Sequence, residues 1–110
     1  NGKLTMGENI ADLSGLQISY KAWKLSLAGK PSPTIDGLTG EQRFYYGFAQ
    51  VWRSKVREAR TLQLVVIDPH SPAQFRADGA SINSDGFHDA FGTKPGDKMW
   101  KAPADRLRLW

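Results

Sequence analysis

The sequence predicts a mainly α-helical fold, and three observations carry that reading. Leu13, Leu16, Tyr20, Trp23 and Leu27 recur at steps of 3, 4, 3 and 4, the spacing that places one stripe of side chains on one helix face. Thr39-Gly40-Glu41-Gln42 has the reciprocal pattern in which a hydroxyl and a side-chain amide each satisfy a free backbone N–H at a helix start. The one strand candidate, Leu62 to Ile67, has no second strand to pair with.

The first helix is expected over residues 6–27, where Gly29-Lys30-Pro31-Ser32-Pro33 stops it, because proline cannot continue a helix and biases its predecessor toward extended backbone. The second opens at Thr39 and shows an apolar face of Phe44, Phe48, Val51, Trp52 and Val56. Residues 57–67 read as a third helix in preference to an unpaired strand. Asp68-Pro69-His70-Ser71-Pro72 is a turn fixed by two prolines. Ser84 is placed to cap a short helix that runs through Phe91, and the remainder is expected to be irregular. This makes a single layer, too thin for a complete domain.

At 110 residues the chain is one domain at most, burying about 65% of the surface of its unfolded form. No apolar run approaches the roughly 20 residues of a membrane helix. There are no cysteines, so disulfides, thiolate metal sites and cysteine nucleophiles are excluded, and a metal site must use His, Asp and Glu. The net charge of +4 is scattered. The densest group, Arg53, Lys55, Arg57 and Arg60, includes Glu58 and no interleaved aromatics, so no nucleic-acid partner is expected. The chain opens at Asn1-Gly2 without a methionine or a signal-peptide pattern, which suggests a segment of a larger protein.

Glu8 and Asp12 are four residues apart and share one helix face. Two readings are open. Thr5-Met6-Gly7-Glu8 is itself a capping-box pattern, with Glu8 reaching back to the Thr5 amide, and Asp12 would then be an exposed carboxylate beside a lysine. Alternatively the pair forms a site, with Gly7 and Gly15 leaving room for a close-packed neighbour.

The order of several blocks favours the second reading. The run Asn1 to Asp12, the block Phe48-Ala49-Gln50-Val51-Trp52, the element His70-Ser71-Pro72 with Phe75-Arg76, and the closing Arg108-Leu109-Trp110 together resemble the neprilysin and endothelin-converting-enzyme family of zinc metallopeptidases almost from end to end. The resemblance implies the C-terminal helical part of a thermolysin-like (zincin) catalytic domain, with residues 1–110 lacking the upstream His-Glu-x-x-His helix. The only histidines are His70 and His88, so that helix does not lie within this sequence.

By this resemblance Glu8 is the third protein ligand of a catalytic Zn2+, and Asp12 hydrogen-bonds a ligand imidazole without touching the metal. His70 is the donor to the oxyanion as a zinc-activated water attacks the scissile peptide carbonyl. Arg76 pairs with Asp12 and grips the substrate backbone, so these two should meet in the fold. Val51 and Trp52 line the pocket for the side chain just after the scissile bond. His88 has no counterpart and reads as ordinary.

The activity implied is that of a zinc-dependent endopeptidase. Its partners are peptide substrates and the rest of its own catalytic domain, and the isolated chain is expected neither to retain zinc nor to cleave peptides. Apolar surface left bare by the missing helices is expected to drive self-association. Relatives outside bacteria usually carry cysteines here, so their absence points to a bacterium while leaving the redox compartment undetermined; the resemblance implies an extracytoplasmic location, periplasmic or cell-surface. The competing readings are a parent without its His-Glu-x-x-His helix that survives as a binding protein, and an independent, non-catalytic helical interaction module.

Overall fold

A computed structural model describes residues 1–109; Trp110, the last member of the closing Arg-aliphatic-Trp block, lies outside the described residues. Among the described residues five α-helices follow one another: α1 (Gly2–Ser26), α2 (Gly40–Val51), α3 (Glu58–Ile67), α4 (Ala73–Ser81) and α5 (Asp85–Phe91), with a 3-10 turn at Pro103–Asp105. Among the described residues there is no β-strand, only an isolated bridge between Ile35 and Leu38.

Helix α1 starts four residues earlier than its apolar stripe indicates. Thr5 lies inside it, with its amide donating to the Asn1 carbonyl at 3.2 Å. The capping box Thr5-x-x-Glu8 is therefore not formed, and the Glu8 carboxylate is released from the backbone. The stripe packs inward as its spacing requires, with Leu13 and Leu16 buried. The helix unwinds through Ala28 and Gly29, both at positive φ (49° and 78°), where only glycine is free of steric cost.

At Thr39 both capping-box bonds are present, Thr39 Oγ1 accepting from the Gln42 amide and Gln42 Oε1 accepting from the Thr39 amide, each at 3.1 Å. Helix α2 ends at Val51 and not beyond, so Val56 falls in the following linker and is no part of its face. Residues 58–67 are helical, and none of them is buried.

Helix α4 corrects the expectation of irregular chain after the Pro-rich turn. Its sequence, Ala-Gln-Phe-Arg-Ala-Asp-Gly-Ala-Ser, has no apolar stripe, and its helicity comes from packing: α1 and α4 form the most extensive helix contact of the fold. Ala80 and Ser81 are buried at its end, where small side chains let the helices approach closely. Ser84 stands at the N-cap of α5 as expected, but its side chain does not cap. It shares a 2.6 Å hydrogen bond with the buried Tyr45 hydroxyl, whose pKa is raised by burial.

The core is an aromatic cluster between α1, α2 and α5, in which Tyr45 lies 5.4 Å from Tyr20 and 5.5 Å from Phe87, ring centre to ring centre. Only Leu13, Leu16, Tyr45 and Ala80 are buried apolar residues among those described. His88 is buried as an ordinary structural histidine, its ring bonded to Thr93 Oγ1 and the Ile82 carbonyl. The tail returns across the molecule: Asn83 Oδ1 accepts from Lys101 Nζ and the Leu107 amide, both at 2.8 Å. Gln17 Nε2 on α1 donates to the Leu107 carbonyl at 3.3 Å. Asp85 takes Arg106 at 2.7 Å and Arg108 at 3.0 Å, and the Arg106 bond chiefly holds its carboxyl below the usual range.

Candidate functional site

The site is assembled from three pieces of chain. Helix α1 presents Glu8 and Asp12 one turn apart. The turn at Asp68 to Pro72 presents His70, and Pro72 then starts α4, which brings Arg76 round to face α1. Asp12 and Arg76 meet side-on: Nε donates to Asp12 Oδ2 at 2.6 Å and Nη2 to Oδ1 at 2.8 Å. Both side chains are largely buried, at 14% exposed for Arg76 and 11% for Asp12. Two parallel charge-assisted bonds in this setting are the strong form of the interaction, and the bond to Asp12 raises the Arg76 pKa above its ordinary value.

Glu8 Oε2 lies 3.3 Å from His70 Nε2 and 3.5 Å from Arg76 Nη2, while Oε1 has no partner among the described residues. Its side chain is 43% exposed, so one oxygen is open to an incoming cation. The other ring nitrogen of His70 meets Asp68: Nδ1 is 2.6 Å from Asp68 Oδ1, and the same oxygen accepts the His70 amide at 2.9 Å. The backbone N–H of His70, followed by its ring, holds the Asp68 carboxyl below the usual range. A carboxylate oxygen thus stands within 3.3 Å of each ring nitrogen.

Asp68 is the residue that sequence reasoning missed. It reads as a turn former, and the signal available was only its place two residues before a histidine, held there by Pro69. Val51 and Trp52 part company here. Val51 is 74% exposed and borders an open groove with Ala11, Asp12, Gly15 and Phe48. Trp52, at the end of α2, lays its ring under the Arg76 guanidinium at 4.3 Å. Gly7 and Gly15 have no neighbour within 4 Å of where a Cβ would stand, so the close-packed neighbour expected beside them is not supplied by the described residues.

No group of three or more His, Asp or Glu side chains that could hold a metal ion occurs among the described residues. What is present fits one part of a metal shell: a carboxylate with a free oxygen, one turn from a second carboxylate locked by arginine.

A long helix thus bears two carboxylates, one clamped by an arginine from a later helix and one facing a carboxylate-held histidine. The sequence matches Peptidase family M13 over residues 1–107, and the chain belongs to that family. It is 40% identical over 114 residues to endothelin-converting enzyme 1 of Cavia porcellus, covering 100% of this chain and 15% of that protein. It is 41% identical over 116 residues to neprilysin-1 of Caenorhabditis elegans, again with 100% and 15% covered. The zinc metalloprotease ZMP1 of Mycobacterium tuberculosis, solved in complex with an inhibitor, superposes with a TM-score of 0.96 at 48% identity over 99% of this chain and 17% of that one. The chain thus spans about 15% of the length of the curated relatives it matches.

Proposed function

We propose that this chain is the third-ligand segment of a zinc metalloendopeptidase, lying in the C-terminal part of its catalytic domain. The observation that carries the reading is the bidentate Asp12–Arg76 pair, 64 residues apart in sequence and joining two residues that the family resemblance singles out. Two further facts support it over a free-standing interaction module: Glu8 does not cap Thr5, and it faces His70.

In this reading Glu8 gives a carboxylate oxygen to the zinc ion, and the remaining ligands come from a part of the catalytic domain outside this chain. When bound, zinc supplies Lewis-acid polarisation of a carbonyl and a nucleophile at neutral pH. Asp12, immobilised by Arg76, accepts a hydrogen bond from a ligand imidazole and so fixes its tautomer. His70, held through Nδ1 by Asp68, donates an N–H to the oxygen on which negative charge develops as the peptide carbonyl is attacked. Arg76 has spent Nε and Nη2 on Asp12. Its Nη1 has no partner among the described residues and donates to a backbone carbonyl of the peptide substrate. Val51 and Trp52 border the adjoining space for the substrate side chain.

The rest of the catalytic domain is this chain's first partner. The accessible surface is 7805 Å², against about 6,100 Å² for a closed globule of this mass. The radius of gyration is 15.3 Å, against about 13 Å. The excess supports a fold whose apolar faces are completed by other chain, or, in isolation, by self-association. No helix of the described residues is long and apolar enough to cross a membrane; the extracytoplasmic location rests on the family resemblance.

The test is a pair of variants in the full-length protein. Glu8→Ala should lose zinc and peptidase activity together. His70→Ala should keep its zinc and lose mainly turnover, by roughly 100-fold or more. Equal loss of metal in the two would overturn the assignment of roles.

A further inference from the structure

The two bonds between Arg76 and Asp12 lie in the plane of the guanidinium. They fix its edge and leave it free to rock out of that plane. The second restraint comes from a ring face: the Arg76 guanidinium carbon stands over the Trp52 ring, 4.3 Å from its centre, within the range in which an aromatic face attracts a cation. The carboxylate pair and the ring-face contact restrain the guanidinium from two sides.

Trp52 is itself held. It occupies the C-cap of α2, where the backbone leaves the helix at φ −92° and ψ 0°, and Phe48 packs edge-on against it at 6.1 Å. Its Nε1 is buried and has no hydrogen-bond partner among the described residues. A buried N–H left unpaired is a cost that phenylalanine would avoid. The geometry accounts for a tryptophan through its face, which is the strongest of the aromatic residues toward a cation.

We propose that Trp52 is a positioning residue, whose indole face holds the Arg76 guanidinium at the angle from which its remaining donor, Nη1, engages the backbone of a peptide substrate. This rests on the reading that Arg76 grips substrate, and it gives Trp52 a role distinct from lining the pocket for the substrate side chain. The contact also ties α2 to the pair of helices that carry Glu8, Asp12 and Arg76.

The experiment is steady-state hydrolysis of one peptide by the full-length, zinc-loaded protein carrying Trp52→Phe, Trp52→Leu, Arg76→Lys, or the last two combined. Trp52→Leu should raise KM about tenfold with kcat changed less than about twofold, whereas Trp52→Phe, which keeps a face, should stay within about threefold of wild type. In the Arg76→Lys background the leucine change should add less than about twofold. Equal effects of phenylalanine and leucine, or an undiminished leucine effect in the Arg76→Lys background, would overturn the proposal. If the leucine variant does not fold, fluorinated tryptophans placed at position 52 keep the shape and weaken the face. KM should then climb with each added fluorine, and a flat series would overturn the proposal. A wild-type KM in Arg76→Lys would instead overturn the underlying reading of Arg76 as a substrate contact.

Discussion

At the scale of residues, the site is a relay of charges in which each group is held by the next. Asp68 holds His70, His70 faces Glu8, and Arg76 locks Asp12. Removing the Asp68 carboxylate in Asp68→Ala should leave zinc content unchanged and lower turnover about tenfold, as loss of a carboxylate behind a working histidine does; metal analysis beside kcat checks it. The Asp68 pKa is depressed in the folded state, first by the His70 amide. Its contribution is therefore complete above its unfolded value of about 3.9 and is lost as pH falls through the lower folded value. The Asp68 side-chain carboxyl carbon resonance should accordingly show its own titration step only below about pH 4. Asp12→Ala strips a largely buried guanidinium of its partner and should cost about 3 kcal/mol in denaturant unfolding. The Asp12–Arg76 pair follows from the resemblance. Asp68 does not, because an aspartate before a proline announces a turn whether or not its oxygen also orients a neighbouring ring.

Local signals account for some of the helices and packing for the others. Helix α1 has its 3-4 apolar stripe and α2 its capping box, so both are legible in the sequence. Helix α4 is not: the residues Ala73 to Ser81 contain Asp78, Gly79 and Ser81, poor helix formers, and their order is imposed by the neighbouring α1. The start of α1 is obscured for a related reason, since Thr5 offers a capping pattern that the helix overruns. Packing also sets the tolerance of α5. A Cβ at Gly86 would stand 2.6 Å from Tyr20 Cζ and from Tyr45 Oη. Gly86→Ala should therefore destabilise the fold by about 1–3 kcal/mol through overpacking of that aromatic cluster, measurable as a lower denaturation midpoint at constant slope.

At the scale of the whole molecule, the chain has one consolidated core and a wide apolar periphery. Leu62, Val65, Val66 and Ile67 on α3 are all exposed, Val66 by 73%. At high concentration the chain alone should sediment as oligomers, and a strictly monomeric boundary would count against the incomplete surface. The tail that Asn83 and Gln17 hold has a consequence in time as well as space. Gln17 bonds to a residue 90 positions later, so during synthesis the helix carrying Glu8 and Asp12 waits for nearly all of this segment before its last fastening arrives. The helix that carries Glu8 and Asp12 would then be among the first parts of the segment to be made and among the last to receive all its contacts.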